Sequence, residues 1–479
     1  MSELPRVLVA CFAPFPGTNP QSASILAMAS ALRAELDVVT VKTERLSHIE
    51  QMGNARIFRV PLGDGSSAER REAFDRAIAR QLEAERYDIV HAFGPFEGVV
   101  ASIRKEELGF RLVYEMSSFV DESLGLGAER VWRDFNEQCL QKADLVIVST
   151  EAARRSVLER NPQLPVKALR PAVDFGSLDW CERPTHARIH ILYLGSFSSD
   201  RDLPTVLGAL RRLRFHLSPL PRVLFAGESD PERQSRLREM VDAFGLSSIV
   251  EVRGEPLPGT LAKVVSWADI CLAPAGATAR FQEFGDLPQP LLEYMACKRP
   301  VIAAAVPAMS EVLRDGEEGL LYAPEDDESL ASAVVELVRS SELRSRLAEA
   351  AYQRVRRDFS IGARKREIAA AYAPWVRGIE DPWRECFEEI EEPPIDEETI
   401  LAAEAALLGE VPGERTGEVE AAPEIEGGNT GESFAGPVLQ EVTEAGSQLV
   451  PEEKRTSEFD IGQIESSKGE PFSKKSQER

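Results

Sequence analysis

Apolar runs of four to seven residues alternate along this chain with longer stretches whose hydrophobic positions recur at helical spacing. In the first third the short runs fall at 6–12, 37–42, 57–61, 88–93, 111–115 and 144–149, with helical patterns at 22–34, 68–84 and 129–142. Runs that are apolar at consecutive positions suit strands buried on both faces. Strands of that kind alternating with helices predict a doubly wound parallel sheet.

The alternation stops at 175–187, where Trp180, Cys181 and Pro184 stand in irregular polar sequence. It resumes with apolar runs at 189–195, 223–227, 249–253, 270–274, 301–304 and 319–322, and helical patterns at 203–215, 232–244, 289–297 and 329–337 fill the gaps. A last helical pattern covers 363–375. The predicted organisation is α/β throughout: a Rossmann-like domain over 1–175, a linker over 176–187, a second Rossmann-like domain over 188–360, and a helix segment over 361–379. From 380 to 479 Glu, Pro, Gly, Ser and Thr dominate. Such a segment buries too little apolar surface to offset its chain entropy, so a disordered tail is expected. Within it Ile400, Leu401, Ala405 and Leu408 allow one short helix over 396–408.

Charge sharpens that division. The chain carries a net −24, but the segment 380–479 holds about 27 acidic and about 8 basic residues, leaving the first 379 residues near −5. Neither part presents the basic face of a nucleic-acid binder, whereas an acidic tail suits a protein partner. No run approaches the roughly 20 apolar residues that cross a bilayer, and the apolar run at 7–12 is too short for a secretion signal. A cytoplasmic protein is expected, with any membrane contact peripheral; Arg211, Arg212 and Arg214 form a basic cluster, read first as a solvated helix face. Cys11, Cys139, Cys181, Cys271, Cys297 and Cys386 show no paired spacing, so neither a disulfide framework nor a zinc site is indicated. The five histidines supply no metal-ligand cluster.

Ligands of open α/β sheets bind beyond the carboxyl ends of strands, and anions favour helix N-termini. The loop after the first strand contains Gly17, which is free to adopt an unusual backbone conformation; it lacks the GxGxxG of a nicotinamide or flavin site. The loop opening the second domain runs from Gly195 and Ser196 to Arg201, whose guanidinium suits phosphate oxygens, though a lone surface arginine is more often solvated. In the third segment Asp286 and Gln289 have capping-box spacing, and Pro288 is acceptable in a first helical turn. Glu293 then falls about two turns into an apolar helix, where a carboxylate needs a partner. A ribose diol is suitable, and a satisfied helix glutamate is the alternative.

Taken in order, these segments resemble the retaining nucleotide-sugar glycosyltransferases of glycosyltransferase family 4, over roughly residues 6–375. The resemblance rests on Tyr87-Asp-Ile-Val-His-Ala, Leu112-Val-Tyr-Glu, Ala143-Asp-Leu-Val-Ile-Val-Ser-Thr-Glu and Pro171-Ala-Val-Asp-Phe in the first half. In the second it rests on Tyr193-Leu-Gly-Ser, Ala268-Asp-Ile-Cys-Leu-Ala-Pro, Glu311-Val-Leu-Arg-Asp-Gly-Glu-Glu-Gly-Leu-Leu-Tyr and, most specifically, Leu292-Glu-Tyr-Met-Ala-Cys-Lys-Arg-Pro-Val-Ile-Ala.

It implies the GT-B fold: two Rossmann-like domains facing across a cleft, the first for a glycan, lipid-linked or small-molecule acceptor, the second for a nucleoside diphosphate sugar. Gly17, Gly195, Ser196, Arg201, Asp286, Leu287 and Glu293 would hold the donor, with Glu293 on its ribose and Arg201 neutralising the leaving diphosphate. His91 and Phe93 would face the acceptor, and the helix over 363–375 would brace the first domain. No metal or cofactor is required. Several positions depart from the family pattern: Ser196 stands in place of an arginine, Phe93 of a histidine, Gly285 of the first of two glutamates, and Pro290 of a lysine found in related branches. These departures keep a second reading open, a catalytically degenerate GT-B protein that binds a nucleotide sugar or a partner. A sugar epimerase of the same layout is a third.

Overall fold

The structure, a computed structural model, describes residues 4–17, 19–43, 46–116, 128–176, 178, 188–257 and 259–376. Most of the expected linker and all of the tail from 380 onward, including its short helix, lie outside the described residues.

The first domain is built from β1 (Arg6–Pro14), β2 (Glu35–Val41), β3 (Ile49–Met52), β4 (Ala55–Val60), β5 (Ile89–Phe93), β6 (Arg111–Glu115), β7 (Leu145–Val148) and β8 (Val166–Ala168). They form one sheet in the order β3-β4-β2-β1-β5-β6-β7-β8, parallel except for the antiparallel pair β3–β4. The connecting helices are α1 (Pro20–Ala31), α2 (Ser67–Ala84), α3 (Pro95–Leu108), α4 (Ala128–Lys142) and α5 (Glu151–Arg160). Every residue of β5 and β7 is buried, as continuous apolar runs require when helices cover both faces.

The second domain contains β9 (His190–Leu194), β10 (Arg222–Ala226), β11 (Val250–Val252), β12 (Ile270–Ala273), β13 (Val301–Ala304) and β14 (Leu320–Tyr322). All are parallel, in the order β11-β10-β9-β12-β13-β14. Its helices are α6 (Leu203–Arg212), α7 (Pro231–Ala243), α8 (Leu261–Trp267), α9 (Ala279–Gln282), α10 (Gln289–Ala296), α11 (Pro307–Val312), α12 (Asp327–Arg339) and α13 (Ser341–Asp358). The helical pattern over 203–215 ends as an α-helix at Arg212 and finishes in a 3₁₀ turn over Leu213–Phe215.

Several elements went unmarked in the sequence, α3, α5, α8, α9 and α11 among them, and three more show why. The edge strand β3 reads Ile-Glu-Gln-Met, with only Met52 buried, and joins β4 through Gly53 and Asn54. The three residues of β8 are too few to show a period. Helix α13 is long, but charged residues outnumber its buried positions, so its apolar stripe is narrow.

The chain crosses between domains twice, side by side. Val173 donates its N–H to Phe359 O (2.7 Å) and forms a parallel bridge with Ser360. Val355 and Phe359 belong to the second domain's core, whereas a final helix, α14 (Ile361–Tyr372), packs on α1 and places Ile368, Ala371 and Tyr372 in the first domain's core. Polar contacts fix this return. Arg364, 1% exposed, forms a two-pronged pair with Glu115 (2.7 Å to each oxygen) and donates to Leu169 O (2.8 Å) and Arg170 O (3.2 Å).

Candidate functional site

Strand order reverses beside β1 in one sheet and beside β9 in the other. Such switch points open a crevice beyond the strands' carboxyl ends, so the loops after β1, β5, β9 and β12 are the ones placed for ligand.

The loop after β1 is tied down from two sides. Buried Arg59 donates Nε to Phe15 O (2.9 Å), and Asn19 caps α1 by accepting from Ser22 N (2.8 Å) while donating Nδ2 to Pro14 O (2.8 Å). Gly17 does not use the conformational freedom expected of it, since its φ is not positive. It lines a narrow cavity together with Asn19, Asp174, Leu261, Gln289 and Glu293. The cavity thus draws on both domains and brings Gly17 and Glu293 together. Asn19 and Asp174 were not singled out beforehand, and Gln289 was read only as a capping residue. For Asp174 a signal existed, since it lies within the Pro171–Phe175 segment of the resemblance.

Glu293 is the fifth residue of α10, little more than one turn in rather than two. It is 7% exposed, and burial pushes its carboxyl up to about 7. No hydrogen bond or ion pair joins that carboxylate to another described side chain. Its neighbour Tyr294 sets the helix: the Tyr294 hydroxyl accepts from Leu194 N (2.7 Å) at the end of β9.

The capping box does not form. Pro288 is the N-cap, with extended backbone (ψ 122°) and no side-chain cap, so α10 starts too late for Asp286 to reach its first amides. Asp286 instead accepts from Arg280 Nε (2.7 Å), and Arg280 also meets Asp200 (3.6 Å). Leu287 packs against the second domain's core. At the end of β9, Gly195 (φ 147°) faces Gly227 (φ 106°), where a Cβ would lie 2.6 Å from Gly195 N. Two backbones therefore touch where side chains are excluded. The loop continues with Ser196, whose carbonyl accepts from Tyr193 (2.5 Å), and Phe197, whose N–H is held by Glu228 (2.9 Å).

Arg201 closes a 3₁₀ turn (Ser199–Arg201) and is 9% exposed. It does not line the cavity with Gly17 and Glu293. Its guanidinium lies over the Phe281 ring at 5.3 Å, and Arg280 lies over the same ring at 5.5 Å. This pairing of cations at the β9/β12 switch was not foreseen, because α9 is four residues long and carries no readable period.

His91 and Phe93, expected to face an acceptor, are both buried. His91, 1% exposed, shares a hydrogen bond with Tyr372 (2.6 Å) through Nδ1 and lies 3.3 Å from Glu115 through Nε2. Phe93, also buried, packs on the imidazole at 4.5 Å. The pair anchors α14 instead. Gly285, at the place where the resemblance would put a first glutamate, has φ +58°, and a Cβ there would lie 2.7 Å from Thr150 Oγ1 and 2.8 Å from Ala153 N, so a side chain would strain the turn and displace its neighbours.

Among the described residues no helix is long and apolar enough to cross a membrane, and no group of three or more His, Cys, Asp or Glu could hold a metal.

Residues 17–171 match the family model "Glycosyl transferase 4-like domain", and residues 182–354 match "Glycosyl transferases group 1". An alpha-D-kanosaminyltransferase from Streptomyces kanamyceticus is 25% identical over 49% of this chain; the match spans 61% of that protein, less than two thirds. A D-inositol 3-phosphate glycosyltransferase from Thermomonospora curvata is 24% identical over 71% of this chain and 86% of its own length. Among solved structures, sucrose-phosphate synthase from Thermosynechococcus elongatus superposes with a TM-score of 0.63 at 20% identity, covering 77% of this chain and 98% of that one. Anabaena HepE in complex with UDP-glucose gives 0.60 at 13% identity, covering 77% and 99%. These superpositions establish the GT-B arrangement of two Rossmann-like domains. With the two family models matched in tandem, one on each domain, the chain belongs to the group 1 glycosyltransferases.

Proposed function

We propose that the protein transfers a glycosyl group from a nucleoside diphosphate sugar to a hydroxyl of a glycan, lipid-linked or small-molecule acceptor, with retention at the anomeric carbon. The observation that carries this reading is Glu293, a buried carboxylate without a described partner, in a cavity that also takes in the Gly17 loop of the other domain. A carboxylate in that position suits the two hydroxyls of a ribose, which would supply the missing partners. The HepE complex with UDP-glucose favours a UDP-sugar as donor. Arg201 and Arg280, held on Phe281 beside the β9/β12 switch, are the positive charges this reading assigns to the leaving diphosphate. Catalysis on this reading is electrostatic and needs neither metal nor cofactor.

The test is calorimetric binding of UDP-, GDP- and ADP-sugars to the full chain, followed by transfer assays with the product's anomeric configuration read by NMR. Arg201→Ala should lower kcat by about 10²-fold, the scale of losing one preorganised charge at a developing anion, with a smaller change in donor Kd. An unchanged kcat would remove Arg201 from the mechanism. Glu293-dependent binding without transfer to any acceptor would favour the non-catalytic alternative.

A further inference from the structure

The turn just before α10 is one of the points where the second domain grips the first. Phe284 packs edge-on against Trp132 of α4 (5.2 Å, 79°), with Arg133 and Arg160 over its ring at 5.6 and 5.8 Å. Glu283 pairs with Arg160. Gly285 is buried, and its carbonyl accepts from Thr150 Oγ1 (3.1 Å), the same hydroxyl that caps α5 by accepting from Ala153 N (3.1 Å). A second contact lies alongside. Glu311 of α11 accepts from Glu151 N (2.9 Å) at the N-terminus of α5 and meets Arg155 (3.3 Å). A carboxylate from one domain thus sits on the helix N-terminus of the other, where the helix dipole favours it.

We propose that Phe284 and Gly285 are positioning residues, which hold the segment leading to Glu293 against the first domain and so keep the donor cleft assembled before any nucleotide sugar binds. The segment is short. One residue after Gly285, Asp286 is fixed to Arg280, and α10 with Glu293 begins three residues further on. A shift of the Phe284 ring out of its seat is transmitted along a chain pinned at both ends. Each domain has its own apolar core, so loosening the contact opens the cleft without unfolding either half. That the cleft serves a nucleotide-sugar donor rests on the function proposed above; the grip itself does not.

The experiment uses the full chain and two variants, Phe284→Ala and Glu311→Ala, each checked by circular dichroism for native content. Interdomain distances are read without nucleotide by paired spin labels on exposed sites of the two domains. The distance distribution should broaden in both variants. Donor KM should then rise about tenfold, as when only a tenth of the molecules are assembled for binding, while kcat at saturating donor stays within about twofold. Wild-type distributions in both variants would overturn the proposal. So would a broadened distribution whose loss of activity falls on kcat with KM unchanged. Broadening in a protein that binds none of the tested nucleotide sugars would uphold the grip and count against the donor reading, so the two can fail separately.

Discussion

Glu293→Gln is expected to make the unliganded protein more stable at pH 8 while weakening donor binding. Burial raises this carboxyl from an ordinary 4.5 to about 7, so the folded state retains a proton that the unfolded chain releases. Stability therefore falls as pH climbs from about 4.5 to about 7, and the full cost, on the order of 3 kcal/mol, persists above that window. Glutamine is neutral at every pH and escapes it. The two proteins should melt together near pH 4.5, and the variant should melt higher at pH 8. Coincident melting curves at both values would mean that burial imposes no such cost.

Donor binding should move the other way. An ionised carboxylate accepts from both ribose hydroxyls, whereas the amide offers one acceptor oxygen and no charge. The loss is about 1.5–3 kcal/mol, or roughly 10- to 100-fold in Kd. Wild-type affinity should tighten between pH 6 and 8 as the carboxylate forms, and the pH dependence should vanish in the variant. A cost carried by the empty site and relieved by ligand marks a group kept for binding.

Much of this architecture was legible because it depends on short-range pattern. Val-Leu-Val-Ala at 7–10 and Ile-Leu-Tyr-Leu at 191–194 are apolar at consecutive positions, which suits a strand buried on both faces. The same logic fails at β3, an edge strand with one buried residue, and at β8, which is too short to show a period. The site divides along the same line. Glu293 stood out because a carboxylate in an apolar helix is locally anomalous. Asp286 misled because its spacing to Gln289 is right for a cap, but Pro288 takes the N-cap position and delays the helix. His91 could be read as a structural hydrogen-bonding residue at a strand end, but not its partner Tyr372, which lies 281 residues away. Arg280 pairs with Asp200 across a loop whose path depends on the whole domain. Contacts of that kind follow from topology, which local spacing does not encode.

Arg364→Ala should be the most destabilising single change in the first domain, at about 3–5 kcal/mol. That is the usual cost of removing one partner from a buried ion pair. Arg364 is enclosed, and its guanidinium satisfies both oxygens of Glu115 together with the carbonyls of Leu169 and Arg170. Alanine leaves the carboxylate facing His91 and both carbonyls without their donor.

The pH dependence identifies the cause. Burial works to raise the Glu115 carboxyl, but Arg364, with help from His91, outweighs it and holds the group below its ordinary value of 4.5. The pair's contribution is thus present above about 4.5 and fades as pH falls through the lowered value. In the variant, Glu115 loses its cation and takes up a proton at higher pH, which relieves the buried charge. The gap between the two proteins should therefore be widest near pH 7 and narrow towards pH 4.5, as read from urea unfolding and from hydrogen exchange of the α14 amides. Glu115→Leu combined with Arg364→Met should recover most of the loss at pH 7, because the pair's worth lies mainly in avoiding an orphaned charge. A pH-independent deficit that the double variant does not repair would mean that Arg364 acts by packing alone. The return of α14 to the first domain would then rest on Ile368, Ala371 and Tyr372.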